Sequence, residues 1–450
     1  MPNKNVKDTT RKWSDWLSRR EFLKTSAVVS ATALVAGCAT GRRAAPGILH
    51  PEYKPEKLRV GLIGCGGRGT GAAFDCVNSS PNIEIVAMGD LFQNRLDQSR
   101  NQLKELGEAC KVTDDHCFVG FDAYQGVLAS DIDVVIMAPP PHFRPLHLKA
   151  AVEAGKHVFM EKPVAVDPVG VRSIIASSKL AAQKGLAVVA GTQRRHQPSY
   201  LETMKRVHGG AIGEVVAAQC YWNQGGLWEQ RAAHNWEKYQ SGEWSDMEWQ
   251  IRNWLFLIWL SGDHIVEQHV HNIDVVNWAL QSPPVKAVGM GGRQARTDPK
   301  YGNIYDHFSV EYEYPNGVRV LSMCRQIAGS SSRVSERIVG TKGVANPDGE
   351  IQGRRRFKYE PPEGSEQNPY VLEHRDLIAS IRRGKPLNEG KRIAESTLTA
   401  IMGRMSAYTG REFQWNWLMN QSQLDLTPPA YEFGDLPVAP VPIPGETKLV

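Results

Sequence analysis

The stretch LRVGLIGCGGRG, from Leu58 to Gly69, constrains this chain more than any other. An apolar run ends in glycines spaced as GxGxxG at Gly64, Gly66 and Gly69. An amphipathic stretch follows, and a second apolar run, NIEIVAMGD, closes on Asp90 about 20 residues later. Glycines alone only mark turns. With a strand before and a helix after, each has a distinct role. Gly64 makes the tight turn, Gly66 lets backbone approach a pyrophosphate, and Gly69 lets the helix pack against the strand. The helix N-terminus then faces the phosphates. The pattern predicts a dinucleotide-binding unit with Gly64, Gly66, Gly67, Arg68 and Gly69 at the phosphates. Asp90 is expected to bind ribose hydroxyls and repel a 2′-phosphate. That favours NAD over NADP, a preference that Arg95 nearby softens.

Three more buried runs follow: DIDVVIMAPP from Asp131, KHVFMEKP from Lys156 and LAVVAGTQ from Leu186, with helical periods between them such as FRPLHLKAAVEAG. Alternating strands and helices predict an α/β Rossmann fold, a doubly wound parallel sheet. After about residue 210 the rhythm changes. EVVAAQCYW, HFSVEYEYPNGVRVLSMCRQ and SERIVGTKGVANPDG read as strands joined by turns, interrupted by a single helix at about 262–280. This predicts a C-terminal α/β domain with a large open, mostly antiparallel sheet. A helical run from Lys391 to Tyr408 returns toward the first domain. The expected boundaries are 1–37 for a signal peptide, 38–57 for a linker, 58–190 for the nucleotide-binding domain, 191–410 for the second domain and 411–450 for an extended, proline-rich tail.

The leader decides how composition is read. SRREFLKTSAVVSATALVAGC, from Ser18 to Cys38, has paired arginines and an apolar run too short to span a bilayer, which takes about 20 residues. It predicts twin-arginine (Tat) export to the periplasm or cell surface. Val35-Ala36-Gly37-Cys38 resembles a lipobox, so a lipid on Cys38 is the expected anchor and the one expected membrane contact. Of the formal net charge of +5, four charges belong to the leader, leaving about +1. The basic balance is therefore the address label, and a nucleic-acid partner is not implied. The other six of the seven cysteines are scattered, and a chain folded before export should keep them as buried thiols.

Two places carry catalytic promise. Glu161-Lys162-Pro163 closes the fourth strand, where open α/β sheets bind ligands; a lysine there can orient a hydroxyl or relay a proton. In GDHIVEQHVHNIDVVNWAL, residues His264, Glu267, His271, Asp274 and Trp278 recur at spacings of 3 and 4, which on one helix gives a polar, titratable face. A core-facing stripe should be apolar, so this one reads as a site: His271 as base near neutral pH, with Glu267 holding and polarising it. His269 points elsewhere on such a helix, so no metal site is expected. Seven tryptophans lie between 222 and 259. Trp249, Trp254 and Trp259 are expected to pack, while loop tryptophans such as Trp228 can stack on a sugar's apolar face.

Together, GCGGRG after its strand, IMAPPPHFR, AGKHVFMEKP and GDHIVEQHVHNID resemble the Gfo/Idh/MocA family over about Leu58 to Tyr408. The resemblance implies NAD(P)-dependent oxidation or reduction of sugars and cyclitols, and a second-domain sheet used for homo-oligomerisation. It aligns Lys162 with the family lysine and His271 with its proposed base. It places Pro139, Pro140 and His142 beside the nicotinamide, and Gln193 and Arg195 on the strand after Glu161-Lys162-Pro163. With Glu161 and Gln193 added to the cofactor set, Arg195, Asp274, His264 and Trp228 are the substrate candidates. The family often has Asp four residues before the histidine, where this chain has Glu267. Exported glycosidases of the same superfamily are similar in leader and length but not in these motifs. A glycosidase or lyase acting through a transient keto-sugar, and a non-catalytic sugar-binding lipoprotein, are the alternatives.

Overall fold

The computed structural model describes residues 56–448. The leader, Cys38 and most of the linker lie outside the described residues. The first lobe is a six-stranded sheet of β1 (Leu58–Ile63), β2 (Ile83–Asp90), β3 (Cys117–Val119), β4 (Val134–Met137), β5 (His157–Met160) and β6 (Val188–Ala190). Its order is β3-β2-β1-β4-β5-β6, with every pair parallel. Strands such as Val134-Val135-Ile136-Met137 are buried on both faces, as a sheet covered by helices on either side requires. The connecting helices end where their sequences say. In Pro168–Lys184, the Asp167 carboxylate accepts from Gly170 N at 2.7 Å and the chain leaves through Gly185 in the left-handed region. Strand order reverses between β1 and β4, which opens a crevice at their carboxyl ends. β3 has no sequence signal: three half-buried or exposed residues at a sheet edge leave no pattern to read.

The second lobe is built on nine strands: β7 (Val215–Gln224), β8 (Lys286–Gly292), β9 (His307–Glu313), β10 (Arg319–Gln326), β11 (Arg333–Gly340), β12 (Gly343–Asn346), β13 (Glu350–Gly353), β14 (Phe357–Lys358) and β15 (Phe413–Gln414). They lie in the order β14-β13-β12-β11-β7-β10-β9-β8-β15. The sheet is antiparallel except where β7 runs parallel to β10. Alternation along β10 buries Val320, Ser322 and Cys324 and exposes Leu321 and Met323. One face is covered by the helices Val270–Leu280 and Gly390–Thr409. The latter is wedged between β8 and the first-lobe helix Pro168–Lys184, and is buried almost from end to end. It fastens the lobes together. Cys65, Cys76, Cys220 and Cys324 are buried free thiols; Cys110 and Cys117 are partly exposed.

The expected single helix at about 262–280 does not exist as such. Between β7 and β8 the chain forms helices Glu229–Gln240, Asp246–Arg252, Ile258–Ser261, His264–Glu267 and Val270–Leu280. The last two are separated by a break at Gln268–His269, and its cause is visible. In a continuous helix the Glu267 carbonyl would accept from His271 N, four residues on. Here it accepts from the Lys162 ammonium, and His271 N turns to Gln268 O at 3.3 Å. The tail also starts later than residue 411, because β15 and the helix Trp415–Asn420 come first. From Gln421 the chain runs without helix or strand, tied to both lobes: Leu426 N donates to Asp167, and Leu436 N to Asp246.

Candidate active site

A cleft of about 440 Å³ opens at the carboxyl ends of β1, β4 and β5, roofed by the second lobe. Its floor is the glycine turn. Gly64 has φ +89°, and a Cβ there would fall 2.6 Å from the Ala138 and Pro139 backbone; at Gly69 it would fall 1.9 Å from Gly64 O. Those two glycines are required by fold. At Gly66 and Gly67 a Cβ would meet nothing within 4 Å, so their open side belongs to the cleft. The helix beginning at Gly67 has no side-chain cap, which leaves its first N–H groups for a ligand. The turn thus fits the pyrophosphate of a dinucleotide. Asp90 stands at the end of β2, one oxygen accepting from Cys65 N at 2.7 Å and the other from Phe92 N at 2.9 Å. Burial raises its pKa, against those two bonds and the charges of Arg95 and Arg252. Arg68 does not point along the turn. It pairs with Glu161 at 2.5 Å, Asp75 at 3.1 Å and Glu373 at 3.3 Å, under the ring of Tyr370. Burial opposes its charge, but the Glu161 and Glu373 carboxylates outweigh that and hold its pKa above the ordinary value.

The titratable candidates Lys162, Glu267 and His271 gather where the lobes meet. Lys162, on the loop after β5, donates to the Glu267 carbonyl and, at 3.1 Å, to Glu267 Oε1. Both side chains are almost wholly out of water. His271 opens the second-lobe helix and lines the same cleft. Its ring stacks on Trp222 with centroids 5.7 Å apart, and its Nδ1 is buried without a hydrogen-bond partner. Burial, followed by the positive charges of Lys162, Arg194 and Arg68, pushes its pKa well below the ordinary value. It is therefore a neutral imidazole, the form a base needs. Glu267 does not hold His271, as the unbroken-helix reading expects. It holds Lys162, because the break at Gln268 turns its carboxylate and its carbonyl to the same ammonium.

A family profile described as an oxidoreductase family with NAD-binding Rossmann fold matches residues 58–192, and the GFO/IDH/MocA C-terminal domain matches 200–346, together more than half of the chain. The chain belongs to the Gfo/Idh/MocA oxidoreductase family. Residues 17–36 match the twin-arginine translocation signal. Inositol 2-dehydrogenase 4 of Saccharopolyspora erythraea is 30% identical over 165 residues, 37% of this chain. That alignment spans 45% of the relative's length, so the chain covers about half of it. A glycosyl hydrolase family 109 protein of Shewanella amazonensis is 24% identical over 71% of this chain and 68% of its own. The solved myo-inositol 2-dehydrogenase of Lactobacillus plantarum superposes with a TM-score of 0.60 at 20% identity, covering 80% of this chain and 99% of that one.

Within this member of the Gfo/Idh/MocA family, Pro139, Pro140, Glu161, Gln193 and Trp228 line the cleft with the residues above. Four other candidates do not. His142 is buried behind it, bonded to Tyr431 at 2.8 Å and edge-on to Trp259, and burial lowers its pKa to about 4. Arg195 and Asp274 close on each other at 2.7 Å, with Arg392 and Ser396 completing the carboxylate's partners. His264 faces Asp263 at 2.9 Å on the far side of the helix break. His269 bonds Ser322 at 2.7 Å, so the three histidines diverge. Trp254, expected in the core, lines the cleft edge-on to Trp228 at 5.4 Å. Arg231, Arg252 and Tyr370 line it too, and sequence reasoning misses them. Arg231 and Arg252 sit on helices that read as polar and solvated, and only docking against the first lobe gives them a role.

Proposed function

We propose that this protein is an exported oxidoreductase that uses a nicotinamide dinucleotide to act on a ring hydroxyl of a sugar or cyclitol. Its cofactor is held through the catalytic cycle and restored at the end. One observation carries the reading: a neutral, buried His271 and a Lys162 fixed by Glu267 share one cleft with the open side of the glycine turn. When bound, the nicotinamide supplies an acceptor, and later a donor, of hydride. His271 Nε2 takes the hydroxyl proton. Lys162 has three N–H donors, two of them spent on Glu267, and the third polarises the substrate oxygen. Glu267 balances the ammonium and fixes its position, and the Trp228–Trp254 corner offers an apolar wall to a sugar ring.

Tat-type export of a folded chain lets the dinucleotide be loaded before the protein leaves, and outside the cytoplasm a held cofactor must return to its starting state. Coupled oxidation and reduction of two sugars meets that need. So does transient oxidation that acidifies a neighbouring C–H, assists loss of a glycosidic substituent and is then reversed. The similarity to a glycosyl hydrolase family 109 protein favours keeping this second route. A periplasmic or cell-surface location with a lipid on Cys38 completes the proposal. A homo-oligomer is supported by the uncovered face of the second sheet, where Met290 and Met323 share a row and Met290 is 76% exposed. Protein purified without added cofactor, then denatured, should release nicotinamide nucleotide. A panel of sugars and glycosides, followed by product analysis, should show turnover that His271→Ala abolishes. Protein free of nucleotide and inert on the panel would overturn the reading.

A further inference from the structure

The proline-rich tail has no helix or strand of its own, yet it is tied down at every step. It also changes lobes at one end of the cleft. On the first lobe, Leu426 N donates to the Asp167 carboxylate at 2.9 Å, and the Tyr431 hydroxyl lies 2.8 Å from His142 Nε2. Phe433 then packs against two first-lobe rings, with centroids 5.4 Å from Phe121 and 5.9 Å from Phe92. From the next residue the partners belong to the second lobe. Gly434 O accepts from Met247 N at 3.1 Å, Leu436 N donates to Asp246 at 3.0 Å, and Leu436 O accepts from Gln250 Nε2. All three partners lie on helix Asp246–Arg252. Further on, Ala439 O accepts from Asn303 Nδ2 at 3.1 Å and Pro442 O from the Tyr305 hydroxyl at 2.8 Å.

The crossing lies at the adenosine end. The residue closing β2 marks the adenosine ribose. Phe92 follows Asp90 by two residues, Phe121 follows the neighbouring β3 by two, and both rings line the cleft. Arg252, on the roof helix that the tail holds, lines it as well and lies 3.7 Å from the centroid of Phe92. The opening between the loops after β2 and β3 and helix Asp246–Arg252 is therefore spanned by Phe433, Gly434 and Leu436. Resting on the reading of this cleft as a dinucleotide site, we propose that the tail is a strap across its adenosine end and that Phe433 sets how slowly the nucleotide leaves. Phe433 is a positioning residue. It fixes Phe92 and Phe121 through ring contacts that favour one geometry, while the hydrogen bonds beside it hold the roof helix down. Retention after export is a dissociation rate, and a strap acts on that rate.

The test follows nucleotide loss from holoprotein purified without added cofactor. The protein is held in nucleotide-free buffer, and the nucleotide still bound is measured at intervals by gel filtration and denaturation. Phe433 is 48% exposed, so its truncation leaves the core intact. Phe433→Ala should lose nucleotide at least about tenfold faster than the unaltered protein, and Phe433→Tyr, which keeps the ring, no more than about twofold faster. Turnover of the dialysed Phe433→Ala variant should fall with its nucleotide content and return when NAD or NADP is added, a rescue that a merely structural role would not give. Equal dissociation from Phe433→Ala and the unaltered protein overturns the strap and leaves the oxidoreductase reading intact. So does a lower melting temperature without faster dissociation, which assigns Phe433 to packing alone. Unaltered protein and variants all free of nucleotide would overturn the strap and the oxidoreductase reading together.

Discussion

The floor and the roof of the cleft are written into the chain in different ways. Every functional residue of the floor follows directly from the end of a strand: Gly64 to Gly69 after β1, Asp90 at the end of β2, Pro139 and Pro140 after β4, and Glu161 and Lys162 after β5. The roof is made by Trp228, Arg231, Arg252, Trp254, Glu267 and His271, spread over helices and turns with no repeating relation to a strand. A local rule builds the floor, and docking builds the roof. The proposed catalysis needs both, because the candidate base His271 comes from one and Lys162 from the other.

The largest expected effect tests the roof. His271→Ala should lower turnover by roughly 10²- to 10⁴-fold, and His271→Gln, which keeps most of the buried volume against Trp222, should lower it as much while staying closer to the unaltered protein in thermal stability. The pH profile sharpens this. Burial and neighbouring cations keep the His271 pKa well below the ordinary value, so the acid limb of kcat/KM should lie below the ordinary histidine range. An acid limb at 6.5 or above would assign the base to another group.

Next is the bond between the halves. Lys162→Met leaves the buried Glu267 carboxylate unpaired and should cost roughly 3–5 kcal/mol of unfolding free energy. Lys162→Met combined with Glu267→Leu should recover much of that stability and none of the activity. Denaturant unfolding beside turnover separates the two. Equal stability of the single and double variants would show that the pair does not join the lobes.

A buried histidine just past β6 is also readable through pH. His196 Nδ1 bonds Asp376 at 2.7 Å, and its Nε2 lies 3.6 Å from Glu389. Burial alone would lower its pKa, but the two carboxylates outweigh it and raise it to about 9. A raised histidine stabilises fully below its unfolded pKa, and the contribution is lost as pH rises through the folded one. Stability should therefore fall between about pH 6.5 and 9, by at most about 3 kcal/mol. His196→Gln should flatten that slope in thermal melts, and an unchanged slope would place the titrating group elsewhere.

The same contrast explains what was legible. Two apolar runs, three glycines and an acidic residue were enough to place the floor, because strand ends and tight turns are set by neighbours in sequence. The roof gave up His271, Glu267 and Trp228 but not Arg231, Arg252 or Trp254, since helix Glu229–Gln240 shows the polar surface of any solvated helix. Spacing also misled. His264, Asp274 and His271 fall on one face of an ideal helix, but periodicity cannot register that Lys162, over a hundred residues upstream, captures the Glu267 carbonyl and breaks that helix. Arg195 matched a pattern and then closed on Asp274, a partner that no local rule names.

The smallest expected effect separates fold from function within the floor itself. Gly69→Ala must push a methyl against the Gly64 carbonyl, at a cost of about 1–3 kcal/mol. Gly66 has φ −75°, which any residue adopts, and open space where a Cβ would go. Gly66→Ala should therefore cost no more than about 1 kcal/mol, the ordinary loss when Ala replaces Gly at an N-cap. The methyl would stand where a pyrophosphate must approach the backbone, so nicotinamide nucleotide binding should fall about tenfold or more. If Gly66→Ala bound as well as the unaltered protein, the open side of the turn would not be the phosphate site. The floor would then be legible as a fold but not as a function.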